Sequence, residues 1–145
     1  MKNLKSIFSV VLALVMVICF TSCASNEQKE RLTVGYNSSK AIYDSCVTVF
    51  NDIEKIGKAN GYFTDFASEA DSMTTVKTQL DEIKKQLDDI KKNIDENVDF
   101  YNKDEADKAI SSMETMKSSL EAYKTSFDAM KQTISQYVRE TENAA

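Results

Sequence analysis

From Met73 the apolar residues of this chain fall at Met73, Val76, Leu80, Ile83, Leu87, Ile90 and Ile94, in alternating steps of three and four. A helix of about 3.6 residues per turn brings such positions onto one face, and a mean step near 3.5 narrows that face to a coiled-coil seam. The polar residues repeat in register, with Asp81-Glu82-Ile83-Lys84-Lys85-Gln86-Leu87 followed by Asp88-Asp89-Ile90-Lys91-Lys92-Asn93-Ile94. Asp81 with Lys85, and Asp88 with Lys92, stand four apart with the acid first. Such pairs add about 0.2–0.5 kcal/mol each to a helix. A second seam runs through Met113, Met116, Leu120, Tyr123, Phe127, Met130, Ile134 and Tyr137, with Lys117, Lys124 and Lys131 each four after a seam residue. These blocks are too short for a solenoid and read as heptads.

Nothing interrupts the helices except at their ends. The 145-residue chain has no Pro, and its glycines are confined to positions 35, 57 and 61. An earlier segment with Ile42, Tyr43, Cys46, Val47, Val49, Phe50, Ile53 and Ile56 has a broader apolar face, which suits a helix touching two neighbours. Asn60-Gly61 is a natural helix stop, and Asn102-Lys103-Asp104-Glu105 reads as an Asn-x-x-Glu start signal, with a turn near Asp99 to Asn102 between seams. The expected fold is all-α, an elongated antiparallel three-helix bundle with coiled-coil-like heptad seams over residues 34–145. Its helices are expected at about 34–60, 64–99 and 103–141.

The N-terminus has a different character. Lys2 and Lys5 precede an apolar run from Ile7 to Phe20 broken only by Ser9, and small residues follow, the three parts of a secretory signal. The run is shorter than the roughly 20 residues a membrane span needs. Phe20-Thr21-Ser22-Cys23 resembles the lipobox of bacterial lipoproteins, a resemblance confined to the signal. Phe20 stands where leucine is usual, and Thr21-Ser22 replace the common pair of very small residues. The resemblance implies a type II signal peptide over residues 1–22, removed on maturation, and diacylglyceryl transfer to the thiol of Cys23, followed by acylation of the new amine by a chain such as palmitate. Residues 23–33 are then a lipidated polar tether, because apolar positions are few there. Two other readings also keep the protein outside the cytoplasm: ordinary cleavage after Ala24, for which Ser22 and Ala24 are suitably small, or retention of the run as an anchor. Ala24, standing where an Asp would resemble an inner-membrane retention signal, favours the outer membrane or cell surface.

Loss of Lys2 and Lys5 with the signal leaves 16 basic against 23 acidic residues, a net charge of about −7, which argues against nucleic acid as a partner. There is no His, and no metal, cofactor or catalytic residue is expected. Asp95, Asn97 and Asp99 begin like a calcium loop, but Phe100 and Ala106 stand where that loop needs Gly and Glu. With Cys19 in the apolar run and Cys23 acylated, Cys46 has no internal disulfide partner; its helical spacing with Ile42, Val49 and Ile53 marks it as core. The Asn37-Ser38-Ser39 sequon is uninformative behind a bacterial signal. No nucleophile motif or phosphate loop occurs, so the chain is not expected to be an enzyme.

Topology places the Asn60-Gly61 turn far from the membrane and the Asp99 to Asn102 turn, with Phe100-Tyr101, near it. Tyr62, Phe63 and Phe66 at the far turn are the candidate partner-binding residues, since aromatic side chains give large rigid contacts. The competing reading is that they plug the end of the core. The expected function is a non-catalytic, lipid-anchored cell-envelope protein, a helical-bundle binding module for a protein or envelope partner. Alternatives are a structural spacer self-assembling through its seams, or an apolar-ligand carrier using Met113, Met116 and Met130.

Overall fold

The computed structural model describes residues 24–97 and 102–144, and among these the chain is all-α without a strand. Four helices occur: α1 (Asn26–Ala59), α2 (Tyr62–Asp65), α3 (Ala67–Asn97) and α4 (Lys103–Ala144). Among the described residues there is thus one helix more than expected, because a single turn, α2, stands between two long ones. The signal segment 1–22, Cys23 and Phe100-Tyr101 lie outside the described residues.

The expected polar tether is corrected by the start of α1. From Asn26 onward those residues are helical, and Leu32 within them is 2% exposed. Ser25 caps the helix: its hydroxyl accepts from Gln28 N at 3.2 Å, and its own N–H donates to Gln28 Oε1 at 3.0 Å. This reciprocal box satisfies two helix-end donors and offsets the scarcity of apolar residues on which the tether reading rested. Gln28 then donates from Nε2 to Lys103 O at 3.2 Å and to Asp107 Oδ1 at 2.8 Å, joining the starts of α1 and α4. α4 is capped where expected, with Glu105 N donating to Asn102 Oδ1 at 2.8 Å and Asn102 N to Glu105 Oε2 at 3.1 Å.

α1 and α4 run in the same direction. Beyond the Gln28 contacts, the Cys46 thiol donates to Leu120 O at 3.5 Å, Phe50 meets Phe127 edge-on at 6.0 Å, and Lys131 bridges to Asp52 at 2.6 Å. Small residues let the two backbones approach: a Cβ added at Gly35 would lie 3.3 Å from Met113 Cβ. α3 runs the other way, bringing Asp88 near Lys40 and Lys77 near Glu54. Its ion pairs differ from the acid-first expectation, with Lys84 to Asp88 at 4.0 Å and Lys91 joined to Asp95; exposed pairs of this kind contribute little.

Burial follows the spacing in the sequence. Each of the seven apolar positions from Met73 to Ile94 is buried, as are those from Met113 to Ile134 in the second series, while Tyr137 is partly buried. On α1 the buried set is Gln28, Leu32, Tyr36, Ser39, Tyr43, Cys46, Phe50, Ile53 and Gly57, flanked by half-buried Ile42, Val47, Val49 and Ile56. That flank is why the first segment looked broader: α1 is the helix that packs against both of the other long ones.

The core is not wholly apolar. Ser39 is fully buried and its hydroxyl has no partner, and the Oε1 atoms of Gln79 and Gln86 are likewise shut off unpaired. Each such group carries a desolvation cost of about 1–3 kcal/mol.

Candidate functional site

The far end of the molecule is built by a chain reversal. α1 stops at Asn60, whose N–H and side-chain Nδ2 both donate to Ile56 O, at 3.2 and 2.9 Å. Gly61 follows at φ 72°, the left-handed conformation that glycine adopts without penalty. Gly61 O then accepts from Thr64 N at 2.9 Å and Asp65 N at 3.2 Å, which winds Tyr62–Asp65 into one turn. Phe66 breaks that turn at φ −121°, ψ 65°, and its carbonyl starts α3 by accepting from Glu69 N at 3.0 Å. The predicted helix over 64–99 therefore begins at Ala67, after a jog that turns Tyr62 inward and Phe66 outward.

The three candidate aromatics divide accordingly. Tyr62 is 3% exposed, so it is a foundation and not a contact residue. Phe63 is partly buried, its ring lying over Gly57. Phe66 is 42% exposed. Tyr62 is the hub: its ring centroid lies 5.6 Å from Phe63, 4.7 Å from Phe66 and 5.2 Å from Tyr137. Tyr137 meets Phe66 edge-on at 5.8 Å, closing the cluster from α4. At separations of 4.5–7 Å such pairs contribute about 0.5–1.5 kcal/mol each beyond simple burial.

Two carboxylates brace the rings. Tyr62 OH donates to Glu69 Oε2 at 2.6 Å, and Tyr137 OH donates to Asp65 Oδ2. Burial, followed by the Glu69 hydrogen bond, pushes the Tyr62 phenol well above its ordinary range. Hydrogen bonding to Asp65 raises that of Tyr137. Both hydroxyls therefore stay protonated donors at neutral pH, as the braces require. Asp65, Glu69 and Tyr137 were not among the sequence candidates. The seam that ends on Tyr137 was the available signal, because a helix parallel to α1 must finish at this same end.

The remaining candidates sit elsewhere. Cys46 is wholly buried halfway along α1, and burial pushes its thiol up to about 11, leaving it a neutral core group. Met113, Met116 and Met130 are 1%, 3% and 7% exposed within the core. Among the described residues no cluster of carboxylates and thiols could hold a metal ion, and no helix is long and apolar enough to cross a membrane. Exposed Val34 on α1 lies far from the aromatic end.

The molecule defined by these features is an all-helical protein carrying a braced aromatic cap at one end. No protein-family model, curated protein or solved structure matches the chain.

Proposed function

We propose that the protein is a non-catalytic binding module of the bacterial cell envelope, anchored by acyl chains on Cys23 after removal of residues 1–22. Its three long helices act as an antiparallel bundle with coiled-coil-like seams. The aromatic end presents Phe66 to a protein or other envelope partner, on the outer membrane or cell surface. The observation that carries this reading is the pairing of an exposed Phe66 with a hydroxyl-braced base of buried Tyr62 and partly buried Tyr137. An aromatic anchor held in place before binding loses little entropy on contact, the usual property of interface hot spots. Leu87 and Leu120, at 0% and 1% exposure, are spent within the single chain, which favours this reading over a spacer assembling through those seams.

Two measurements test it. Palmitate labelling and cell fractionation should show label and membrane association lost in Cys23→Ala; persistence of both removes the anchor. A photo-crosslinking residue placed at Phe66 in living cells should give one discrete adduct, absent when it is placed at exposed Ser111. The same adducts from both positions would remove the aromatic end as the binding surface.

A further inference from the structure

α1 begins three residues after Cys23, and its start is fixed to the rest of the fold. Ala24 is 5% exposed, Ser25 and Gln28 close a reciprocal cap, and Gln28 holds Lys103 and Asp107 of α4. A chain spans at most about 3.6 Å per residue, so the Cα of Asn26 lies within about 11 Å of that of Cys23. Acyl chains on Cys23 occupy the hydrocarbon, which is about 30 Å of a bilayer about 40–45 Å thick, leaving headgroup layers roughly 5–8 Å deep. The reach of the chain and the depth of the headgroups are therefore comparable. Because α4 is hydrogen-bonded to Gln28, its first turn is carried to the same depth.

We infer that the end formed by the first turns of α1 and α4 is a lipid-facing surface, seated on the headgroups of the bilayer that holds the anchor. This rests on the anchoring reading above and adds to it a surface, a partner and a rigid junction. Residues 26–31 and 103–108 hold five carboxylates and four basic side chains, and antiparallel α3 brings exposed Asp95 and Glu96 to the same end, so the surface carries no excess of positive charge. It needs no anionic lipid, and its contact with a zwitterionic bilayer is insensitive to salt. A flexible ten-residue tether would instead let the domain wander over roughly 17 Å.

The test uses full-length acylated protein in phosphatidylcholine vesicles containing a headgroup-nitroxide lipid, which quenches fluorescence only near contact. A fluorophore is attached in Asp104→Cys, or in Ser68→Cys at the opposite end; buried Cys46 does not compete for the label. Quenching should be at least about five-fold stronger at residue 104 than at 68, unchanged by salt, and lost when about twenty Gly/Ser residues are inserted between Cys23 and Ala24. An acylated protein with equal quenching at both positions, or whose quenching at 104 survives the insertion, overturns the seated end and leaves the anchor standing. Mass spectrometry of the same sample separates the other failure: absence of acyl mass on Cys23 overturns the anchor and the seating together.

Discussion

Gly57→Ala is the sharpest test of how the aromatic end is held. In an unobstructed helix the change gains about 0.5–1 kcal/mol, because alanine has less backbone freedom to lose. Here the added Cβ would fall 2.3 Å from Phe63 Cε2, 2.8 Å from Cδ2 and 2.9 Å from Cζ. Carbon atoms prefer about 3.5–4.0 Å, so the overlap exceeds what local relaxation absorbs and the ring must leave its seat. Leaving forfeits the edge-on contact with Tyr62, about 0.5–1.5 kcal/mol, together with the partial burial of the ring, about 1 kcal/mol more. Set against the helix gain, the net expectation is a loss of about 1–2 kcal/mol. Urea denaturation followed by circular dichroism measures it, and the Phe63→Ala background isolates the cause. With the ring gone, Gly57→Ala should become neutral or stabilising, a coupling of about 1–2 kcal/mol between the sites. If Gly57→Ala stabilises the otherwise unaltered protein, or costs the same with and without Phe63, the seat described for the ring is wrong.

Further outcomes follow from single groups. Gln28→Ala removes the bonds to Lys103 O, Asp107 and Ser25 N, and should cost about 1–2 kcal/mol in urea denaturation while speeding hydrogen exchange in the first turns of α1 and α4. Ser39→Ala deletes a buried, unpartnered hydroxyl from a helix interior and should stabilise by about 1 kcal/mol; a loss of stability would show that the hydroxyl has a partner. Burial raises the Cys46 thiol from 9.0 to about 11, so the stability contributed by the neutral thiol is complete below pH 9.0 and is lost as pH rises to about 11. Urea midpoints should fall over that interval by the equivalent of about 2 kcal/mol, and less in Cys46→Ala, with Tyr62 and Tyr123 extending the loss above their ordinary 10.0. Phe66→Ala, at a side chain 42% exposed, should change stability by under about 1 kcal/mol while abolishing the adduct formed by a crosslinking residue at neighbouring exposed Thr64.

The helices were legible because their signal is periodic and long. The seven positions from Met73 to Ile94 are buried, and Asn102-x-x-Glu105 caps α4 as its spacing implies. The errors came where one residue outweighed a local average. Residues 26–33 look like a tether when apolar residues are counted, yet Ser25-x-x-Gln28 carries the capping-box pattern, and the side-chain amide N–H groups of buried Gln28 are satisfied by partners 75 and 79 residues away. No local pattern announces such partners. At the aromatic end the sequence supplied three rings but not their division of labour. That division depends on the dihedral angles of Phe66 and on Tyr137, 72 residues from the Asp65 carboxylate it meets.

Under the proposed function the two ends have different tasks. α1 has 34 residues and spans about 51 Å at 1.5 Å per residue. On a flexible tether, the height of Phe66 above the bilayer would be uncertain by roughly 17 Å, a third of that length. With the cap closed at Ser25 and Gln28 bound to α4, stretching of the junction is removed and only tilt remains. Under the proposed anchoring, a partner fixed in the same envelope would meet Phe66 within a shell set by the length of α1, where the effective concentration would exceed that given by a longer, slack connection. In that reading the capping box and the aromatic cap would serve one purpose from opposite ends: each removes conformations that would otherwise have to be given up on binding.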